Sequence, residues 1–434
     1  MSNKIFSTAD SSFAYSTNAR HYGVPIEIEP GWILQLSCNT SSAFSTVDYP
    51  VDVATGAIGT VTNNVVAGIS PENNGIILTD SVLFDSTHML SVFQDATSGN
   101  INAMICEWDP ATHTHTSHTV TDLGITGGGF CVNMEKIDAT HYLISYDSGT
   151  DLIQQVIEIN AGTYAVSTVG TPLVTGTTNE APQCHVVQID STHYSVSYTK
   201  KSPGTSGHFM IVEVNLSTWA VTTATAATDL GGGAATGAYM TSFYIDAVTW
   251  TFKVSATKVV VFYNRLDGSN FISCYRVVDI NTGTWAITVG SLQDFQAAGQ
   301  YMFAAYLTQK DLTVAEAHYS CNVESYMGQS MFKIGFDAVN NLVTVISNSY
   351  NTWVNTSYIR YSPMGHVTEM NGGDILVVNY KMTAGSYPHI YSIFNADPPT
   401  AGGSIKPIAS GMIFGIGTSR EFPCVISLDS THFV

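Results

Sequence analysis

Charge is scarce in this sequence, and positive charge scarcest. Charged residues are 11 % of 434, and 15 Lys and Arg face 34 Asp and Glu, a formal net charge of −19. Soluble proteins usually carry about 25 % charged residues, so Ser, Thr, Asn and Gly must cover this surface. No basic cluster is longer than Lys200–Lys201, which argues against nucleic-acid backbones or anionic lipid as partners. No apolar run approaches a membrane span. The N-terminus, MSNKIFSTADSSFAYSTN, has no apolar core of a secretory signal. The seven cysteines (38, 106, 131, 184, 274, 321 and 424) are dispersed without a CxxC pair. They read as buried free thiols of a chain folded in a reducing cytoplasm, with Cys131, Cys184 and Cys424 on equivalent strands.

Catalytic patterns are missing as well. There is no S-x-D-x-G-x-x-W box and no G-x-S-x-G elbow, and the five arginines are ungrouped. The Gly127–Gly129 and Gly231–Gly233 stretches lack the Lys-Ser/Thr of a phosphate loop. Sustained 3.6-residue periodicity is absent, so helices should be few.

What the sequence has is a repeat. FDSTHMLSVF (84–93), IDATHYLISY (137–146) and IDSTHYSVSY (189–198) are close copies, and LDSTHFV (428–434) begins a fourth. The unit is about 50 residues with four strand signals. In the clearest copy CHVVQI (184–189) precedes the DST turn and HYSVSY (193–198) follows it. MIVEVN (210–215), a turn, and AVTTATA (220–226) complete the unit. Four antiparallel strands, A to D, in a repeat of this length predict a β-propeller blade.

Two turns define the unit. Asp85, Asp138, Asp190 and Asp429 open the A–B turn, where an aspartate accepts backbone N–H groups two residues on. Asn160, Asn215 and Asn281 open the C–D turn in the form N-x-x-T-(W/Y), echoed at Asp109–His113 and loosely at Asp52–Thr55. Diverged A–B hairpins are expected near Glu29–Trp32, Ser255, Thr308 and Asn371. The hairpin at Asp429 has no C and D strands after it. Residues 3–18 resemble a C–D pair, so residues 1–22 and 420–434 should share one closing blade and hide two sheet edges. The expectation is one all-β domain, 1–434, a closed propeller of eight blades, or seven if the weak blade at 24–62 is not one.

The DSTH pattern with its (N/D)-x-x-T-(W/Y) turn resembles repeat proteins encoded by tailed bacteriophages and their hosts. That resemblance implies a virion protein, often surface or tail-fibre, made in the host cytoplasm and contacting other virion proteins or the host surface. A glycan-binding, lectin-like module is the alternative. A glycosidase or lyase would draw on Glu180, Glu316, Glu324 and Glu421. No enzyme activity and no cofactor are expected.

The DSTH histidines (His88, His141, His193, His432) give way to Trp32, Lys258, Asp311 and Asp374 in other repeats. They read as hairpin stabilisers, since equivalent turns lie too far apart to share an ion. His113, His115 and His118 have metal-like spacing, but a strand would put His118 on the opposite face from the other two, and His113 occupies the packing slot of Tyr164 and Trp219. Loops 94–100, 147–151 and 265–270 offer oxygen ligands for Ca²⁺ and equally the residues of ordinary turns. No metal site is assigned. The B–C and D–A loops vary between repeats, and 322–361 and 381–389 carry Tyr326, Tyr350, Trp353 and Tyr387 as candidate partner contacts.

Overall fold

The computed structural model describes residues 79–94, 98–127, 132–175, 184–200, 206–231, 249–267, 270–294 and 340–341, together with the strands named below beyond them. Among the described residues every regular element is a strand and there is no helix, hence none able to cross a membrane.

The strands form seven successive sheets. The first holds β2 (Pro25–Glu29), β3 (Trp32–Cys38), β4 (Phe44–Pro50) and β5 (Thr62–Val66). The second holds β6 (Thr79–Leu83), β7 (His88–Gln94), β8 (Asn100–Asp109) and a D strand split into β9 (Thr114–Ser117) and β10 (Thr121–Thr126). The third is β11 (Val132–Lys136), β12 (His141–Asp147), β13 (Leu152–Ile159) and β14 (Val166–Thr175). The fourth is β15 (Cys184–Gln188), β16 (His193–Lys200), β17 (Ser206–Val214) and β18 (Val221–Asp229). The fifth is β19 (Thr249–Ser255), β20 (Lys258–Asp267), β21 (Asn270–Ile280) and a split D strand, β22 (Ile287–Val289) and β23 (Gln293–Asp294). The sixth is β24 (Met302–Lys310), β25 (Glu316–Val323), β26 (Gly328–Asp337) and β27 (Leu342–Thr352). The seventh is β28 (His366–Glu369), β29 (Ile375–Tyr380), β30 (His389–Asn395) and β31 (Lys406–Met412).

In every sheet the strands lie side by side in chain order and antiparallel. The sheets meet one another in sequence through their first strands: β2 touches β6, β6 touches β11, and so on through β15, β19 and β24 to β28. D strands also meet D strands, as β10 with β14 and β14 with β18. Sheets that share an inner row of A strands and an outer row of D strands are the blades of a β-propeller. An eighth element joins the ends of the chain. β1 (Lys4–Ile5) pairs with β32 (His432–Phe433), Lys4 opposite His432 and Ile5 opposite Phe433. This pair is parallel, whereas a B strand and a C strand of one blade would run antiparallel. Residues 13–18 and 423–428 lie outside the described residues.

The core sits between neighbouring blades. In β12 the side chains of Tyr142, Ile144 and Tyr146 face the second sheet, while Leu143 faces the fourth. In β8 Ile101, Ala103 and Ile105 face the third sheet, and Met104, Cys106 and Trp108 face the first. This two-residue alternation puts apolar groups on both faces of the central strands. It explains why every residue of β7 and of β12 is buried. Cys106, Cys184 and Cys274 form no disulfide and are buried in these layers, Cys184 at the start of an inner strand; Cys131 and Cys424 lie outside the described residues.

The hairpin expected near Thr308 is displaced. Thr308 lies inside β24 opposite His318, and Lys310 pairs with Glu316. Leu83 pairs with Met89 at the same six-residue offset across the Asp85 turn. The stretch joining β24 to β25 is therefore 311–315, which lies outside the described residues, and by the pairing offset position 315 rather than Asp311 corresponds to the DSTH histidine. Strand pairing overrides a resemblance of letters here.

Candidate functional site

Each A–B turn is organised around one carboxylate. Asp85 Oδ1 accepts from the backbone N–H groups of Thr87 (2.8 Å) and His88 (2.9 Å), and both its oxygens meet His88 Nδ1 at 2.8 and 2.9 Å. Asp138 does the same for Thr140 (2.8 Å), His141 (2.9 Å) and His141 Nδ1 (2.9 Å). Asp190 repeats it for Thr192, His193 and His193 Nδ1 at 2.8, 2.8 and 3.0 Å. Although partial burial opposes it, these hydrogen bonds and the nearby histidine hold all three carboxyls below the usual aspartate value. Asp429 lies outside the described residues.

The C–D turns use an asparagine in the same manner. Asn160 Oδ1 accepts from Gly162 N–H (2.9 Å) and Thr163 N–H (3.1 Å), Asn215 Oδ1 from Ser217 N–H and Thr218 N–H (2.9 and 3.1 Å), and Asn281 Oδ1 from Gly283 N–H (3.0 Å). The turn ends on a residue in left-handed conformation: His113, Tyr164, Trp219, Trp285 and Asn341 have φ of 51°, 56°, 58°, 58° and 58°. That region costs a non-glycine residue about 1 kcal/mol or more, so each ring must gain something by standing there.

What it gains is a stack across the blade boundary. His88 lies on Tyr164 (centroids 4.0 Å apart, 26° between planes), His141 on Trp219 (3.6 Å, 16°) and His193 on Trp285 (3.5 Å, 17°). In each case the histidine of one blade meets the left-handed aromatic of the next. The first boundary keeps the form with the partners exchanged, Trp32 on His113 (4.5 Å, 6°), and His113 Nε2 also reaches Glu29 at 2.9 Å. At the fifth boundary Lys258 Nζ hydrogen-bonds Asn341 Oδ1 and pairs with Asp279. One chemical position thus serves five successive boundaries. Pairing by double-mutant cycle should show it: His193→Ala and Trp285→Ala are expected to couple by about 1 kcal/mol in unfolding free energy. Additive effects within experimental error would mean that the rings touch without supporting each other.

The HTHTSH histidines separate. His113 is in the first-boundary stack, His115 is buried within β9, and His118 turns to a different partner. His118 Nε2 lies 3.0 Å from Glu107 Oε2, and Glu107 Oε1 lies 3.9 Å from His88 Nε2. Glu107 is opposite His88 in the β7–β8 register. The trio His88, Glu107 and His118 places its ligand atoms within 4.8 Å of one another. His88 is 5 % exposed, and its Nε2 has no hydrogen-bond partner. His118 was visible in the sequence, but Glu107 and His88 were not legible as its companions, because cross-strand register joins them.

The Ca²⁺-like loop 147–151 closes on itself: Asp147 Oδ1 accepts from Gly149 N–H (3.0 Å), and Asp151 N–H donates to Ser148 Oγ (3.1 Å). Of the candidate partner contacts, Tyr350 is a residue of β27 opposite Ser330. Tyr326, Trp353 and Tyr387 lie outside the described residues, as do Glu180, Glu324 and Glu421; Glu316 begins β25.

No protein-family model matches the chain, and no curated protein matches it. Solved structures of similar fold exist. One is Hsv2 of Kluyveromyces lactis, 7 % identical with a TM-score of 0.48, covering 91 % of this chain and 100 % of that one. A hypothetical selenium-binding protein from Sulfolobus tokodaii is 8 % identical, with a TM-score of 0.47 and coverage of 96 % and 98 %. The β-propeller domain of the Trilobed protease from Pyrococcus furiosus is 7 % identical, with a TM-score of 0.40 and coverage of 92 % and 97 %.

Proposed function

We propose that this chain is a structural and adhesive propeller of a tailed-bacteriophage virion, joining other virion proteins or contacting the host surface. The observation that carries the reading is the use made of the repeated turns. Their His and aromatic side chains are consumed in blade-to-blade stacks and their Asp carboxylates in the turns themselves, so the face that keeps its letters serves assembly of the disc. Partner contact then falls to the variable B–C and D–A loops, above all those within 322–361 and 381–389 with Tyr326, Trp353 and Tyr387, and to Tyr350 near the end of β27 beside them. A net charge of −19 with few cations supports protein or glycan partners over nucleic acid. The reading includes eight blades, the eighth closed by residues 1–22 and 420–434, with seven as the alternative; the meeting of Lys4 with His432 supports the nearness of the two ends, although its parallel direction is not that of a blade's B–C pair.

Antibody against the purified chain should label gradient-purified phage particles by immunogold microscopy. Particles that carry no label would remove the virion reading. Trp353→Ala should weaken binding of the chain to the labelled particle component or host surface at least about tenfold, with an unchanged unfolding midpoint. Binding lost instead through changes at the DSTH turns, with Trp353→Ala silent, would place the contact on the other face.

A further inference from the structure

We propose that His88 Nε2, the Glu107 carboxylate and His118 Nε2 bind one divalent late first-row transition ion, with Zn²⁺ as the reference. Imidazole and carboxylate ligands suit such ions, whereas Ca²⁺ and Mg²⁺ require oxygen. Tetrahedral zinc with bonds of about 2.0–2.2 Å needs ligand atoms roughly 3.3 Å apart. The measured separations are 3.0 Å for His118–Glu107 and 3.9 Å for Glu107–His88. These run to the two different oxygens of Glu107, and all three ligand atoms lie within 4.8 Å of one another, so closing on one ion takes movements of up to about 1.5 Å. Glu107 and His118 can supply them, since their side chains are 45 % and 26 % exposed. Water completes the fourth position from the same open side.

His88 is the fixed member. Its Nδ1 is held by Asp85 at 2.8 Å and its ring by Tyr164 at 4.0 Å. A carboxylate on Nδ1 keeps that proton in place and leaves the Nε2 lone pair free, the arrangement that orients metal-ligating histidines. That much belongs to the repeat and by itself argues nothing. His141 has the same Asp138, the same buried Nε2 without a hydrogen-bond partner, and Glu158 at 3.7 Å. What the third sheet lacks is a second imidazole beside Glu158 among the described residues. His118 turns a recurring His–Glu pair into a three-ligand set, and among the described residues this happens in the second sheet alone.

The test uses the full chain, freed of metal with a chelator and titrated with Zn²⁺ by calorimetry and with Co²⁺ by visible absorption. One equivalent should bind, and Co²⁺ should show the intense bands of tetrahedral coordination. Removing a partner that merely orients a ligand costs 10–100-fold in affinity. Loss of a ligand should cost more, so His118→Gln and Glu107→Gln should each weaken binding by at least about 100-fold. Glu158→Gln, at the matching pair of the third sheet, should leave it unchanged. Circular dichroism and the unfolding midpoint without metal should match wild type for all three. Absence of stoichiometric binding, or binding that survives His118→Gln, would overturn the proposal and leave a hydrogen-bonded cluster.

Discussion

Gly170→Ala is expected to destabilise the chain by about 2–4 kcal/mol, out of proportion to one methyl group. Gly170 lies in β14 with φ of +68°. A Cβ there would fall 2.0 Å from the carbonyl oxygen of Trp219 and 2.2 Å from its carbon, both backbone atoms of the next blade. Neither side yields cheaply. Trp219 N–H donates to Asn215 O at 2.6 Å, and its ring is stacked on His141 at 3.6 Å. Overpacking costs about 1–3 kcal/mol, and alanine at positive φ adds about 1 kcal/mol. Gly162→Ala is the control: it has no positive φ, and its nearest neighbour would be Asn160 Oδ1 at 3.5 Å. Urea unfolding monitored on both variants should separate them clearly. Equal midpoints would show that the blades slide past this contact.

The same contact explains a feature of the repeat. In the next blade Thr225 of β18 donates its hydroxyl to the Trp285 carbonyl. The D strand of one blade and the C–D turn of the following blade thus touch at the aromatic residue whose ring already receives the histidine. Ring and carbonyl of one left-handed residue are both engaged across the boundary. The strained φ at Trp219 and Trp285 is what lets the ring turn toward one neighbour element while the backbone meets another.

How much of this was legible follows from how far apart the interacting residues are in the chain. Strands and turns were legible because their causes are local: an Asp or Asn accepts N–H groups within three residues of itself, and runs of β-branched residues lie between such turns. The packing slot shared by His113, Tyr164 and Trp219 was also visible as a recurring position. Its occupant's partner was not, because His141 and Trp219 belong to different repeats and no local pattern says which blade follows which side. Lys258 with Asn341 was still harder to see, since both letters had changed together. The displaced sixth hairpin failed for a different reason: KD at 310–311 copies the look of a turn, while pairing of Lys310 with Glu316 decides its place. For His113, His115 and His118 the slot assigned to His113 holds, but the argument from strand faces does not apply, because His113 in left-handed conformation precedes β9 and His118 follows it, leaving only His115 in the strand.

Stability should also fall as pH is lowered from about 6.5 to about 4, and His185→Gln should remove most of that slope. His185 is the second residue of β15 on the inner row, and its Nδ1 accepts from Thr251 N–H of β19 at 3.3 Å. Asn133, the second residue of β11, plays the same part toward Val186 N–H at 2.8 Å. The position therefore needs an acceptor, and a protonated imidazole is none. Burial pushes the His185 pKa from 6.5 down to about 4. Between those values the unfolded chain binds a proton that the folded chain refuses, so unfolding free energy rises with pH across the window and is complete above 6.5. At 1.36 kcal/mol per unit the full shift would be worth about 3 kcal/mol, and because His185 is half-buried the contribution is smaller than that. Asp85, Asp138 and Asp190 act lower: their depressed pKa values stabilise the fold above the ordinary aspartate value of 3.8 and lose that effect as pH falls through the folded values. Glutamine at 185 keeps an acceptor and has no proton to gain. Denaturant midpoints measured at pH 4.5 and 7 should differ clearly for the wild-type chain and far less for His185→Gln. A slope unchanged in the variant would place the acid sensitivity elsewhere, and a slope of opposite sign in the wild type would mean that His185 folds as the cation.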